Sequence, residues 1–405
     1  MHARVLPAVM RGVAAVLYGL TMLAASPLHA EPVLQMRIAS APVASEAASV
    51  PMSLPASASA SAPQAAPSKG GNFIAVLLPA KAKAWRPAVE AIKAGLFAAE
   101  SALSDGNQPP LRIFDTTDAD EDVLTQFERA SQMGAAAVIG PLTKSAVNKL
   151  ADSGEFSFPV LALNSFDGET PRQPHLFSFS LSLEAEAAQV AKQMRSDGVS
   201  RPVVISVDGA LPLRMTQGFT DGWRAQGVEG ASVLKVGPKE FALLKGQLEL
   251  MDADAVFLAM DERTARRVRP FIGTGRPIYA SSQINTGKLP TTAMLDLAGI
   301  HYLDMPWLIN PDTPEYKIYE HARSPSNDLE RLFAMGVDAW KIAAALLLTP
   351  PDQLAIKDGL TGRLRMDPHN IVQRELVPGT LSVSIPNAEA PGYTEAPDPA
   401  PASAP

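Results

Sequence analysis

The chain has 405 residues, 46% of them hydrophobic and 19% charged, with a formal net charge of −7. This is the composition of a globular protein with ample core, and the negative balance excludes a protein built to neutralise nucleic-acid phosphates. Cysteine is absent, which excludes disulfides, thiolate metal sites, a cysteine nucleophile and the cysteine-borne lipid anchor of bacterial lipoproteins.

Residues 1–30 read as a secretory signal. Arg4 and Arg11 supply a positive start, Val13 to Leu23 is mostly apolar, and Leu28-His29-Ala30 offers a small residue for cleavage before Glu31. The apolar run is shorter than the roughly 20 residues that span a bilayer. The expected compartment is therefore the periplasm, with no lipid anchor. Residues 31–70 are rich in Ala, Ser and Pro and read as a linker; residues 386–405 read as a similar tail.

Between these ends the pattern alternates. Phe73 to Leu78 is a continuous apolar run, the mark of a strand covered on both faces. Pro87 to Leu103 has apolar residues at helical spacing. Leu111 to Phe114 and Ala135 to Ile139 are strands, with a helix over Asp120 to Met133 between them. Thr143 to Leu150 is a third helix, and Phe158 to Leu163 a fourth strand. A second block repeats the scheme. It has strands over Val203 to Val207, Ser232 to Val236 and Ala255 to Met260, and helices over Leu213 to Gln226, Glu240 to Leu250 and Glu262 to Ile272. Leu176 to Gly198 reads as the connection between the blocks. Pro277 to Ala280 is a further strand, which opens into the polar run Ser281-Ser282-Gln283-Ile284-Asn285. A short helix follows, then a strand from Gly299 that must stop near Pro306, because proline lacks an N–H and disfavours helix at Met305. Leu329 to Leu347 is the clearest helix, with Asn327 and Asp328 as candidate caps and Trp340 on its apolar stripe. Thr361 to Met366 and Ile371 to Val377 alternate as a hairpin. Strands alternating with helices predict parallel sheets covered on both faces, and two such blocks predict two lobes with a cleft.

Candidate site residues lie where strands end, since ligands of open α/β sheets sit beyond the carboxyl ends of strands. Thr143 and Ser145 stand at a helix start that offers free N–H groups to an anion. Asn164, Ser165, Asp208, Ser281, Ser282 and Gln283 occupy comparable loops, and Lys81, Lys83 and Trp85 form a basic, aromatic rim after the first strand. A small polar ligand in the cleft is the reading these residues permit; the alternative for Thr143 is that it caps its own helix. The Asp118, Asp120, Glu121 and Asp122 cluster reads as a solvated helix start. His175, His301, His321 and His369 lack metal-ligand spacing, and no catalytic or cofactor motif occurs, so no cofactor, no metal and no enzymatic activity are expected.

Ala280-Ser281-Ser282-Gln283-Ile284-Asn285, Asp296-Leu297-Ala298-Gly299-Ile300 and Asp304-Met305-Pro306-Trp307-Leu308 together resemble the penicillin-binding protein activator family, the LppC-like proteins. Arg331 to Trp340 and Gly359 to Leu364 agree with it, so that the resemblance covers about residues 72–385. It implies a two-lobed type I periplasmic-binding-protein-like fold, each lobe a mainly parallel sheet flanked by helices. The folded part would be residues 71–385, with the first lobe about 71–180 plus 325–385 and the second about 181–324. It also implies a non-catalytic regulator of peptidoglycan synthesis that docks on a class A penicillin-binding protein. The family's familiar members are outer-membrane lipoproteins, and the missing cysteine departs from them. A solute-binding component of an ABC importer for an amino acid or small amide is the alternative, and a hydrolase remains a formal third.

Overall fold

The computed structural model describes residues 72–166, 173–228, 230–287 and 289–382. The expected signal, the linker over 31–70 and the tail over 386–405 lie outside the described residues. The first sheet has the order β2-β1-β3-β4-β5, from β1 (Phe73–Leu78), β2 (Leu111–Asp115), β3 (Ala135–Ile139), β4 (Val160–Ala162) and β5 (Leu176–Ser178). All its pairings are parallel. The reason is visible in β1, where every residue is buried and side chains alternate between two cores. Ile74, Val76 and Leu78 enter the large central core, while Phe73, Ala75 and Leu77 enter the core on the outer face. Helices α1 (Arg86–Leu103), α2 (Asp120–Gln132) and α3 (Lys144–Ala151) connect these strands.

The second sheet is built the same way from β6 (Pro202–Ser206), β7 (Ser232–Lys235), β8 (Ala255–Ala259), β9 (Ile278–Ala280), β10 (His301–Asp304) and β14 (Val377–Thr380), in the order β14-β10-β9-β8-β6-β7. Along β8, Ala255, Phe257 and Ala259 face the central core, and Val256 and Leu258 the outer one. Its helices are α4 (Leu183–Ser196), α5 (Ala210–Arg224), α6 (Leu244–Leu250), α7 (Glu262–Val268) and α8 (Thr291–Leu297). A four-residue turn of helix, α9 (Pro306–Ile309), follows β10, with Pro306 at its first position, as the missing N–H requires.

Three details differ from the sequence reading. The segment Leu176 to Gly198, read as a connection, holds β5 and the whole of α4. Ser182 caps α4 by accepting the Ala185 N–H at 3.2 Å, and Leu183, Ala187, Val190, Ala191 and Met194 pack into the core. Helix α7 ends at Val268, where Pro270 forces a 3₁₀ turn over Arg269–Phe271. Beyond a small antiparallel sheet of β11 (Ala355–Ile356), β12 (Arg363–Met366) and β13 (Val372–Glu375), the last two forming the hairpin, the chain crosses to the second sheet, where β14 pairs antiparallel with β10.

The long helix α10 (Asn327–Leu348) returns to the first lobe and packs on α1. Ser326 precedes it and no side chain caps it; Asp328 instead bonds Arg331. The two helices approach through paired glycines. A Cβ on Gly95 would lie 2.0 Å from the Phe333 carbonyl oxygen, and one on Gly336 would lie 2.1 Å from that of Ile92. Among the described residues no helix is long and apolar enough to cross a membrane.

Candidate functional site

The ends of β9 and β10 and the first turns of α10 meet in one buried polar network. Arg331 is its hub. The guanidinium donates to Asp304 Oδ2 at 2.7 Å and Oδ1 at 3.1 Å, to Asp328 Oδ1 at 2.8 Å, and to the carbonyl oxygens of Ser282 and Asn285 at 3.0 Å each. Burial works against the charge on Arg331, yet Asp304 outweighs it and holds the pKa above the ordinary value. Asp304 Oδ1 also accepts the Met305 N–H at 2.9 Å. On the other side of Ser282, Glu186 of α4 accepts both its N–H and its hydroxyl, the latter at 3.0 Å. Glu186 makes no ion pair among the described residues. Burial, with Asp304 as the nearby like charge, pushes its carboxyl up to about 7.

A second cluster adjoins the first through the preceding residue of α10, Glu330. Glu330 accepts from the Trp307 indole at 2.8 Å, from the Ser324 N–H at 2.6 Å, and lies 2.9 Å from His321 Nε2. Burial would raise its pKa, but the bonds from His321, Ser324 and Trp307 hold it below the ordinary value. His321 stacks on Phe333 with centroids 3.7 Å apart, and the Arg323 guanidinium lies 4.2 Å over the Trp307 ring. Asp338, two turns on, accepts the N–H groups of Leu360 and Thr361 at 2.9 and 2.7 Å and the Thr361 hydroxyl at 2.6 Å. The Asp-Met-Pro-Trp run thus bonds the Glu330-Arg331 pair through Trp307 and Asp304, and the Gly-Leu-Thr-Gly run through the Trp307 N–H, which donates to the Leu360 carbonyl at 3.1 Å.

The expected site residues divide accordingly. Ser281 and Ser282 are fully buried; Ser281 bonds Met215 sulfur at 3.3 Å and caps its own 3₁₀ turn through the Gln283 N–H, also at 3.3 Å. With Ser282 given to Glu186, the half-buried residues of this loop are Gln283 and Asn285, and the Asn285 amide donates to the Tyr302 hydroxyl at 3.1 Å. Thr143 caps α3, accepting the Ala146 N–H at 3.4 Å. Asn164 sits beside it, donating to the Leu142 carbonyl at 3.0 Å and accepting the Ser165 N–H at 2.9 Å. Ser145 and Ser165 are half-buried there, so the structure brings Thr143, Ser145, Asn164 and Ser165 to one end of the first sheet. Asp208 stands apart, exposed and paired with Lys235 at 2.5 Å on the edge strand β7. Trp85 is buried in the central core and is no aromatic rim. The Asp120, Glu121, Asp122 run forms the first turn of α2, with Asp122 accepting the Thr117 N–H at 2.7 Å. Glu186 is absent from the expected site because its helix lies in a stretch that reads as a connection. The Ser182 cap and the helical spacing from Leu183 to Met194 were the available signal.

An open groove of about 550 Å³ lies elsewhere, between the end of α4 and the β10–β14 edge. Tyr279, His301 and Thr380 line its floor, and Gln193 and Asp197 its wall. These groups satisfy one another. The Tyr279 hydroxyl and the Gln193 amide both donate to Asp197 at 2.8 Å, and His301 bonds Thr380 at 3.0 Å.

The family model described as "LppC putative lipoprotein" matches residues 65–241 and 240–378. The chain belongs to this family. Among curated relatives, the penicillin-binding protein activator LpoA of Vibrio antiquarius (strain Ex25) is 29% identical over 352 residues, covering 75% of this chain and 56% of the relative. That of Glaesserella parasuis serovar 5 (strain SH0165) is 30% identical over 317 residues, covering 75% and 53%. The chain spans about half the length of these relatives. Full-length LpoA from Haemophilus influenzae shares the fold, with a TM-score of 0.64 at 24% identity over 77% of this chain and 57% of that one. A protein from Chromobacterium violaceum ATCC 12472, described as a "putative branched-chain amino acid ABC transporter", superposes with a TM-score of 0.67 at 32% identity, covering 76% of this chain and 99% of its own. This LppC-family chain therefore has the two-lobed architecture common to activators and solute-binding proteins.

Proposed function

We propose that the protein is a non-catalytic regulator of the cell envelope that acts in the periplasm by binding a class A penicillin-binding protein and activating it in peptidoglycan synthesis. One observation carries this reading. The loop after β9, where the second lobe would hold a solute, has its serine groups spent internally on Glu186, Met215 and the loop's own turn. A strand end closed in this way suits a scaffold that works through its outer surface. The relatives named as penicillin-binding protein activators over three quarters of the chain support the same conclusion. Function resides in sites rather than folds, and the site here is a brace between two strand ends and a helix.

A second reading has a specific observation in its favour. The Chromobacterium violaceum neighbour aligns over 99% of its length, and Thr143, Ser145, Asn164 and Ser165 share one end of the first sheet. On that reading they hold the polar end of an amino acid or small amide, with Gln283 facing them. The test is binding of the full chain to the periplasmic part of a class A penicillin-binding protein, with glycan polymerisation measured alongside, and a thermal-shift screen of amino acids and amides. Ligand that binds only the folded state raises stability by about 2.7 kcal/mol at a hundredfold excess over Kd. Binding with stimulated polymerisation and no amino-acid shift supports the regulator. A shift abolished by Thr143→Ala with Asn164→Ala, without synthase binding, overturns it in favour of the importer.

A further inference from the structure

Helix α7 and the 3₁₀ turn that ends it carry four arginines within seven residues: Arg263, Arg266, Arg267 and Arg269. Two of them are occupied. Arg266 pairs with Asp296 at 2.9 Å and Glu262 at 3.6 Å. Arg269 donates to the Gly273 carbonyl at 3.3 Å. Arg263 and Arg267 are exposed, one helical turn apart on the same face, and have no carboxylate partner among the described residues. Arg267 lies 5.8 Å over the ring of Phe241. Phe241 in turn meets Phe271, with centroids 6.1 Å apart, and Phe271 is 40% exposed. Leu243, in the same 3₁₀ turn as Phe241, is 59% exposed. Lys245 extends alongside Gly273 and is likewise exposed without a carboxylate partner.

The result is a patch in which apolar side chains lie among uncompensated cations, on a chain whose net charge is −7. Arginine and aromatic residues are the types enriched at protein–protein interfaces, where they supply most of the binding energy. Three uncompensated cations beside exposed Leu and Phe fit an acidic rim around an apolar centre. They fall short of the four to eight clustered cations that hold a protein on an anionic bilayer. We propose that the face formed by Leu243, Lys245, Arg263, Arg267 and Phe271 docks an acidic, partly apolar protein surface. This rests on the regulator reading above, under which that surface belongs to the penicillin-binding protein.

The experiment compares the full chain with Arg263→Glu/Arg267→Glu and with Lys245→Glu/Phe271→Ser for binding to the periplasmic part of a class A penicillin-binding protein, at low and high salt. Phe97→Ser, a 42% exposed site on α1 in the first lobe, is the control. All the altered residues are exposed, and thermal melts confirm that each variant folds. The expected result is at least about tenfold weaker binding for both patch variants and wild-type binding for the control. Wild-type affinity falls as salt rises, and the double charge reversal loses that dependence. Wild-type affinity retained by both patch variants overturns this docking face while leaving the regulator reading intact. Absence of binding by the wild-type chain overturns both. Binding of the wild-type chain to phosphatidylglycerol vesicles, lost in Arg263→Glu/Arg267→Glu while synthase binding persists, assigns the patch to a membrane and overturns the protein partner.

Discussion

Burial and the neighbouring Asp304 charge push the Glu186 carboxyl from an ordinary value of 4.5 up to about 7. The native state therefore keeps a proton that the unfolded chain releases above pH 4.5. Between these values the native state binds more protons, so stability falls as pH rises; it is fully present below about 4.5 and lost by about 7. One pKa unit corresponds to about 1.4 kcal/mol, which makes about 3.5 kcal/mol the upper bound of the effect. Glu186→Gln, which cannot ionise, should flatten the slope of stability between pH 5 and 7.5. Urea unfolding at both pH values checks this, and an equal slope in wild type and variant would contradict it. Trp307 poses a different question. Its indole N–H is one of three donors to buried Glu330, so Trp307→Phe keeps an aromatic ring but leaves the carboxylate one bond short. Hydrogen bonds to charged groups are worth about 1.5–3 kcal/mol. A loss below about 0.5 kcal/mol in the same assay would mean that His321 and Ser324 suffice.

At the scale of elements, the contact between α1 and α10 depends on what two positions lack. Alanine normally improves a helix interior over glycine by about 1 kcal/mol. At Gly336 the sign should reverse, because a Cβ there meets the Ile92 carbonyl at 2.1 Å and the helices must separate; overpacking of this kind costs about 1–3 kcal/mol or more. Gly246 in α6 has no neighbour within 4 Å of a Cβ, so Gly246→Ala should stabilise by up to about 1 kcal/mol. Opposite shifts of the melting temperature are expected, and a stabilising Gly336→Ala would show that the helices approach less closely. Trp340, on the same helix, is 3% exposed, and Trp340→Ala should cost about 3–5 kcal/mol. The core role of Trp340 was legible in the sequence, because an apolar stripe at helical spacing carries its own direction. The crossing at Gly95 and Gly336 was not, since close approach of two backbones leaves no mark on a single helix. Helix α4 is less legible, because Glu184 and Glu186 break its apolar pattern; Glu186 is turned inward by Ser282, 96 positions along the chain, a partner visible only in three dimensions.

In the whole molecule, alternating strands and helices made the parallel sheets legible, while the brace between them was not. Ser282, Asp304 and Arg331 read as loop, strand end and helix face, and only the fold brings the Ser282 carbonyl to 3.0 Å and the Asp304 carboxylate to 2.7 Å from the Arg331 guanidinium. The consequence is energetic coupling of the lobes. The central core is one continuous cluster that takes Ile74 and Val89 from the first lobe and Phe219 and Phe257 from the second, with α10 among them. Arg331 fastens that helix to the end of β10 in the second sheet. Removing Asp304 takes the bidentate counter-charge from a buried guanidinium and leaves it Asp328 and two carbonyls, and breaking a buried pair costs about 3–5 kcal/mol. Because the core is shared, the cost should fall on the molecule as a unit: Asp304→Ala should lower the temperature of a single unfolding transition. Calorimetry followed alongside tryptophan fluorescence checks this, since Trp85 and Trp340 report on the first lobe and its returning helix while Trp223 and Trp307 report on the second. Two resolved transitions, with only the second-lobe signal displaced, would show that the lobes fold independently and that the brace serves one of them alone.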